Sequence, residues 1–158
     1  MKPFRFSTWS VLLLLNVFVS CAAPKAPVTY VRSVSATTQS TNGILAVEAS
    51  GFARKKAKAK QEAVRGALSK ILFQGLPGSS VQRPIVTAAN ARQVHRDYFD
   101  RFFAEGGPYR DFVRTYNIDP RNTSRNGKYY NVALRMDIDY RALQRKLEQD
   151  GIIKKFGI

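Results

Sequence analysis

The chain has 158 residues, and its 26 Lys and Arg against 11 Asp and Glu give a formal net charge of +15. A hydrophobic content of 44% and a charged content of 23% are typical of a globular protein, and the length fits one compact domain. The single cysteine excludes a disulfide within the chain, so packing must hold the fold together. The excess of positive charge favours a polyanionic partner.

Residues 1–20 have the pattern of a secretion signal. Lys2 and Arg5 give a basic start, and a short apolar run follows, broken by Ser10 and Asn16. This run is shorter than the ~20 residues that a bilayer crossing needs. The pattern therefore predicts export rather than a membrane-spanning helix.

Cys21 follows the apolar run directly and is followed by Ala22. This arrangement resembles the lipobox of bacterial lipoproteins, with Phe18 where that class usually has leucine. The resemblance implies that Cys21 is acylated and becomes the first residue of the mature protein. The alternative is ordinary cleavage after Ala22, because Ser20, Cys21 and Ala22 also fit a small-x-small rule.

The mature chain keeps the charge excess. Residues 1–20 contain Lys2 and Arg5 and no acid, so 24 basic and 11 acidic residues remain, a net charge of about +13. An exported chain rarely meets nucleic acid, and none is expected as a partner. The expected partners are anionic lipid head groups, lipopolysaccharide, an anionic envelope polymer or an acidic envelope protein.

The first half of the domain contains a strand and a long helix. Residues 21–42 form a lipidated cysteine and a tether, within which residues 29–40 could form a strand or an extended arm, and residues 43–158 form one basic domain. Asn42-Gly43 predicts a turn before an alternating strand that places Leu45, Val47 and Ala49 on one face. A helix over 53–74 follows, with Ser50 or Gly51 expected to cap it. Its apolar stripe contains Ala57, Val64, Leu68, Ile71 and Leu72, with Ala53, Ala63 and Ala67 beside it.

The second half contains a helix, a hairpin and a last helix. A helix over residues 87–105 is expected to place Val94, Tyr98, Phe102 and Phe103 on one side, with Phe99 off that stripe. Two alternating strands, "YRDFVRTYNID" and "YNVALRMDID", flank a long turn, "DPRNTSRNGK", and predict an antiparallel hairpin. A helix over 140–150 carries Leu143 and Leu147, and the tail with Ile152, Ile153 and Phe156 is expected to pack on the domain.

These elements predict an α+β fold, in which helices pack on one face of a small antiparallel sheet. The polar strand faces predict that the other side of the sheet is exposed or used for contact. The segments "GILAVEASGFARKKAKAKQEAVRGAL" and "YYNVALRMDID" resemble the FlgT N-terminal and Lpp-twenty-type class of envelope lipoproteins over residues 43–139. The resemblance implies a non-enzymatic outer-membrane lipoprotein or an accessory part of an envelope assembly, and it brings no catalytic residues.

No catalytic or metal site is expected. His95, the only histidine, has just Asp97 and Asp100 near it, which is too few ligands for a metal site. Asp137 and Asp139 share a strand face and are better interpreted as surface charge pairs with neighbouring arginines. No phosphate-binding glycine loop or nucleophile elbow is present. We therefore expect neither an enzyme nor a cofactor.

The most unusual chemical feature is a cluster of cations at the start of the long helix. It comprises Arg54, Lys55, Lys56, Lys58 and Lys60. A helix start favours acids, so each cation there is mildly unfavourable, but free amides and several cations together can hold an anion. The bland alternative is a solvated helix face. A second, aromatic and basic set is more often core than binding surface: Tyr98, Phe99, Phe102, Phe103, Tyr109, Arg110 and Phe112.

The sequence thus predicts a lipid-anchored cell-envelope protein with a non-enzymatic binding or assembly role. Ala22 is not the aspartate that usually retains lipoproteins at the inner membrane, so the outer membrane is expected. No acidic run follows Cys21, which favours a periplasm-facing domain. The alternative is a soluble periplasmic polyanion-binding protein cleaved after Ala22.

Overall fold

The computed structural model describes residues 31–36 and 42–155 of the chain. The predicted signal, Cys21, most of the tether and Phe156 lie outside the described residues. The elements, in chain order, are strands β1 Val31–Ala36 and β2 Ile44–Ala53, helices α1 Lys56–Phe73, α2 Ala91–Val94 and α3 Arg96–Phe102, a 3₁₀ helix Pro108–Phe112, strands β3 Val113–Asn126 and β4 Tyr129–Asp139, and helix α4 Tyr140–Gln149.

The four strands form one antiparallel sheet in the order β1-β2-β4-β3, with the helices packed against it. This confirms the predicted α+β fold with a small antiparallel sheet. The sheet brings two distant segments of the sequence together, since β2 pairs with β4 along its whole length, from Ile44 opposite Asp139 to Ala53 opposite Tyr130.

The period-two pattern of β2 and β4 describes the core correctly. On β2, Leu45, Val47 and Ala49 are at most 3% exposed. On β4, every second residue from Val132 to Ile138 is buried to the same degree. Burying alternate residues on one face leaves the polar residues between them on the other face, which is why the alternation persists over so many positions.

Helix α1 begins at Lys56, three residues later than predicted. Strand β2 continues to Ala53, and neither Ser50 nor Gly51 caps the helix, whose N-cap is Lys55 with no side-chain cap. Gly51 instead lies in the sheet under the helix, where a Cβ atom would overlap the backbone of Ala59 and Ala63. The absent side chain lets α1 approach β2 closely, so this glycine serves packing rather than capping.

The buried side of α1 is rotated from the predicted stripe. Leu68, Ile71 and Leu72 are buried as expected, but Ala57 is exposed and Val64 is half-buried. Small residues occupy the rest of the buried side, namely Ala59, Ala63, Gly66 and Ala67. Because the helix approaches the sheet over small side chains, the alanines mark its inner face and the larger Val64 lies at its border.

The prediction of one continuous helix over 87–105 is wrong. The chain forms α2 and α3, which are interrupted at His95, where φ is −105° and ψ is 34°. The interruption rotates α3 relative to α2, so Val94 is 66% exposed whereas Phe99 is 3% exposed. Phe99 therefore belongs to the core, in edge contact with Phe73 at a centroid distance of 4.9 Å.

The long turn predicted between the hairpin strands is also wrong. Strand β3 continues through those residues to Asn126, and only Gly127 and Lys128 form the turn. Gly127 has φ of 58°, as the first central position of such two-residue hairpin turns requires. The register shifts between Asp119 and Ser124, so the extra polar residues bulge out of the ladder.

The end of the described chain agrees with the sequence. Helix α4 buries Leu143 and Leu147, and Gly151, with φ of 70°, ends it. Ile152 and Ile153 are partly buried against the core, which confirms the packing prediction for these two residues.

Candidate functional site

The predicted cation cluster lies where β2 ends and α1 begins. Arg54, Lys55, Lys56 and Lys58 are all exposed. No acidic residue occupies the first turn of α1, and no side chain caps it. The positive end of the helix dipole therefore adds to the charge of these side chains instead of being neutralised by an acid.

The turn of the β3–β4 hairpin lies at the same end of the molecule. Tyr130 of β4 is the register partner of Ala53, the last residue of β2, so the residues around the turn are beside Arg54. Lys128 is exposed on this turn, and Arg125 is exposed on the last residues of β3 beside it. We call the combined surface the basic end: Arg54, Lys55, Lys56, Lys58, Arg125 and Lys128.

Tyr129 lies at the centre of the basic end. Its ring stacks on Phe52 with a centroid distance of 4.9 Å and an interplanar angle of 11°, and the residue remains 36% exposed. Arg54 Nε donates to the Tyr129 hydroxyl at 3.5 Å, and this bond raises the pKa of Arg54. An aromatic ring with a polar tip, held at the surface between cations, suits a contact that is partly apolar and partly wet.

Carboxylates are absent from both chain segments that build the basic end. Residues 49–61 and 120–136 contain no Asp or Glu. Within the described residues, none of the six cations forms an ion pair. Other exposed cations of the same residues, such as Arg83, Arg101 and Arg145, also form none, but they are not grouped in this way. The basic end is therefore a region of uncompensated positive charge, which attracts anions over about a Debye length.

The chain enters the sheet at the basic end. Val31, the first described residue, is the register partner of Gly51, near the end of β2, and Ala36 is the partner of Val47. Strand β1 thus starts near Arg54 and runs away from it. Lys70 Nζ fastens β1 from the helix side by donating to the carbonyl oxygen of Val34 at 2.9 Å.

Lys60, the fifth member of the predicted cluster, lies in a different environment. It is half-buried and lines a depression of about 470 Å³ between α1 and β3, together with Tyr109, Arg110 and Tyr116. Tyr109 is 1% exposed, and its hydroxyl makes no hydrogen bond of standard geometry, although contact with it raises the pKa of Arg110. Lys60 is therefore less accessible than the other four residues of the cluster, although it lies one helical turn from Lys56.

The second predicted set, which combines aromatic and basic residues, is divided between the core and the surface. Phe99, Phe102, Tyr109 and Phe112 are buried, and Tyr98 and Phe103 pack against them. Arg110 is exposed. These aromatic rings therefore hold the α3 region on the sheet. This agrees with the interpretation of the set as core rather than as a binding surface.

The outer face of the sheet carries compensated charges. Arg135 on β4 lies between Glu48 Oε1 at 2.5 Å and Asp119 Oδ2 at 3.9 Å. The bulge of β3 rises beside them and forms one wall of a polar depression of about 410 Å³. This cation is therefore matched by two carboxylates, unlike the cations of the basic end.

The candidate acid and base groups do not assemble into a reaction centre. His95, Asp97 and Asp100 form no hydrogen bond or ion pair with one another, and Asp100 pairs with Arg96 at 3.6 Å. Asp139 pairs with Arg114 at 2.8 Å, and Asp137 accepts a hydrogen bond from Thr115 at 2.8 Å. The charge-pairing interpretation holds for Asp139, with a different arginine from the two that neighbour it in sequence.

The described part of the chain holds neither a cluster of metal ligands nor a membrane-spanning helix. Residues 31–36 and 42–155 contain no group of three or more His, Cys, Asp or Glu that could hold a metal ion. Over the same residues, no helix combines the length and the apolar character needed to cross a membrane.

Sequence reasoning found the half of the basic end that precedes and begins α1 and missed the half on the hairpin. Arg125, Lys128 and Tyr129 were placed in or beside a long turn. The dipeptide Gly127-Lys128 was the available signal, because glycine at the first central position between alternating strands favours a two-residue turn. Cys21, the predicted lipidation site, lies outside the described residues.

The chain was compared with protein-family models, with curated proteins and with solved structures, and none of them matches it.

Proposed function

We propose that this chain is a lipid-anchored protein of the bacterial outer membrane, facing the periplasm, with a non-enzymatic binding or assembly role. Acylation of Cys21 supplies the membrane attachment, because two or more acyl chains hold a protein stably where one does not. The basic α+β domain supplies the binding surface. Its partner is an anionic component of the envelope.

The observation that carries the proposal is the basic end. Six exposed cations converge from two separate chain segments, and neither segment contains a carboxylate. A solvated surface with no binding role usually mixes charges of both signs. The cations elsewhere in the described chain are either paired with carboxylates, as Arg135 and Arg114 are, or less closely clustered in sequence, as Arg83 and Arg101 are.

The lipid attachment is tested by mass spectrometry of the protein extracted from the envelope. We expect a mature chain that starts at Cys21 and carries acyl chains. We expect Cys21→Ser to leave a folded protein that no longer partitions into detergent. A free thiol at Cys21, or unchanged partitioning of the variant, would refute the anchor.

The same mass measurement distinguishes the alternative, a soluble periplasmic polyanion-binding protein. Cleavage after Ala22 would give a mature chain that starts at Ala23 and carries no lipid. The basic end supports polyanion binding in either case, so the mass decides between the two localisations.

The binding role is tested by a pull-down from the envelope with two variants of equal net charge. One replaces Arg54, Lys55, Lys56, Lys58 and Lys128 with Gln. The control replaces five exposed cations remote from the basic end with Gln: Arg83, Arg101, Arg145, Lys154 and Lys155. We expect only the first variant to lose envelope partners. Equal retention of partners by both variants would remove the electrostatic basis of the proposal.

A further inference from the structure

We propose that the basic end docks on the phospholipid head groups of the membrane that anchors the chain, with the Tyr129 ring seated among them. The domain would then rest on the bilayer by this end rather than swing freely on its tether. This inference rests on the proposed function, because it names anionic phospholipid as the partner of the same surface.

The place where the chain enters the fold is the first argument. Cys21 is ten residues before Val31, and ten residues span at most about 35 Å when fully extended. Strand β4, which runs from the basic end to the opposite end of the sheet, has 11 residues and a length of roughly 36 Å. Presenting the opposite end to the membrane would use nearly the whole of that reach, whereas presenting the basic end uses little of it.

The match of charge is the second argument. Cations near an anionic lipid surface each strengthen binding by about fivefold. The six cations of the basic end have no carboxylate on their own segments to oppose this attraction. At the opposite end of the same strand, Asp137 and Asp139 offset the nearby Arg114 and Arg145, so that end has a smaller excess of positive charge. The domain's charge distribution thus favours one orientation on a negatively charged plane.

The position of Tyr129 is the third argument. Tyr and Trp concentrate at membrane interfaces, where an apolar ring and a polar tip fit the head-group layer. Tyr129 is exposed among cations and is fixed by its stack on Phe52, so little side-chain freedom is lost on docking. Lys128 and Arg125 flank it in sequence or across the turn and can reach lipid phosphates.

Tyr129→Trp in the unacylated mature chain provides the test. The only tryptophan of the sequence is Trp9, within residues 1–20, so a mature chain that starts at position 21 with Cys21→Ser has no other tryptophan. We expect the emission of the introduced indole to shift to the blue on vesicles of phosphatidylethanolamine and phosphatidylglycerol, and to be quenched by brominated lipid. Vesicles of phosphatidylcholine alone should produce neither change.

Tyr116→Trp is the matched control. Tyr116 is 53% exposed and pairs with Met136, seven residues along β4 from Tyr129, or roughly 23 Å. We expect the emission from position 116 to stay unchanged on the same vesicles. An equal or larger change at position 116 would overturn the proposed orientation.

Charge variants complete the test. Replacing Lys55, Lys56, Lys58 and Lys128 with Gln in the Tyr129→Trp chain should weaken vesicle binding by on the order of 100-fold or more. The same number of replacements at Arg83, Arg145, Lys154 and Lys155 should weaken it far less, and circular dichroism checks that both variants fold. Equal weakening by both sets would overturn the proposal, as would an emission change at position 129 with soluble polyphosphate but not with anionic vesicles. Because these chains carry no lipid, the result is independent of whether native Cys21 is acylated.

Discussion

Asp139 shows how much structure one side chain can fix. Its Oδ1 accepts a hydrogen bond from the backbone N–H of Ala142 at 2.9 Å and so caps α4, while Oδ2 accepts from Arg114 at 2.8 Å. The residue is also the last of β4 and the register partner of Ile44. One carboxylate therefore joins the end of the central hairpin to the start of the last helix.

We expect Asp139→Ala to lower the free energy of unfolding by about 1 kcal/mol, because loss of an N-cap oxygen leaves a helix amide unpaired. Urea denaturation measures the change. Asp139→Asn is the control, since asparagine caps equally well and loses only the pair with the exposed Arg114. An asparagine variant as unstable as the alanine variant would show that capping is not the reason.

The pKa values of Asp139, Asp150 and Asp119 are all lowered in the folded chain. The leading causes are hydrogen bonds from the Ala142 amide to Asp139, from Lys146 to Asp150 and from the Arg121 amide to Asp119. Folding thus favours the deprotonated carboxylates. Their stabilisation is complete above the ordinary aspartate pKa of 3.8 and is lost as the pH falls through the lowered values.

We expect the urea midpoint of unfolding to decrease as the pH is lowered below about 4. The double variant Asp139→Asn, Asp150→Asn should start less stable and show a flatter dependence over that range. A double variant with the slope of the unchanged protein would mean that other groups cause the acid sensitivity.

At the level of elements, the β3–β4 hairpin is built around its bulge. Where the register shifts, the N–H of Ala133 donates to Thr123 Oγ1 at 3.1 Å instead of to a β3 carbonyl, and Asn131 Nδ2 donates to the Asn122 carbonyl at 3.4 Å. Side chains thus replace part of the hydrogen bonding that the ladder loses at the bulge.

We expect Thr123→Val to lower the free energy of unfolding by about 1 kcal/mol, because valine keeps the shape of threonine but leaves the Ala133 amide without its acceptor. Hydrogen exchange of that amide should accelerate together with the loss of stability. Thr123→Ser keeps a hydroxyl and should retain most of both. Equal losses in the two variants would indicate that the methyl group, not the hydroxyl, supports the bulge.

Elements with one buried face were predictable from the sequence, and elements without one were not. Apolar and polar residues alternate along β2 and β4 because one face of each strand lies on the core. Val113 and Ile118 in the first half of β3 pack against the core, whereas the outer half, residues 119–126, contributes no apolar residue to it and has the polar composition of a turn. Tertiary context decides such a segment, here through its pairing with β4. The break at His95 escaped prediction because Val94, Tyr98 and Phe102 keep a helical four-residue spacing across it.

Only the part of the candidate site that is nearly contiguous in sequence was predictable. Arg54, Lys55, Lys56 and Lys58 are nearly contiguous in sequence, so their cluster is visible as a charge run. Arg125 and Lys128 are about 70 residues away and join them only through the register between β2 and β4. A surface that is assembled across a sheet can be predicted only when the strand pairing is known. Because the turn was predicted in the wrong place, the hairpin residues were not assigned to this surface.

On the scale of the whole molecule, charge is separated along the strand direction. The basic end has six exposed cations and no carboxylate on its segments, whereas at the opposite end Asp137 and Asp139 offset cations such as Arg114 and Arg145. Such a distribution gives the domain a strong electrostatic polarity in addition to its net charge.

Cation-exchange chromatography tests this polarity without any biological partner. We expect Gln replacement of Lys55, Lys56, Lys58 and Lys128 to reduce retention more than replacement of Arg83, Arg145, Lys154 and Lys155, although both variants have the same net charge. A resin binds the side of a protein with the densest positive charge. Identical elution of the two variants would show that charge is spread evenly.

Strand β1 is the first described element, and it lies at an edge of the sheet, paired with β2 alone. Tension on the residues before Val31 would therefore reach the domain through this strand. Because β1 begins at the basic end and runs away from it, a pull toward that end acts along the strand and strains its hydrogen bonds to β2 in parallel. Hydrogen bonds that are loaded together in this way resist force better than hydrogen bonds that break one after another. The hydrogen bond from Lys70 Nζ to the carbonyl oxygen of Val34 adds to this resistance.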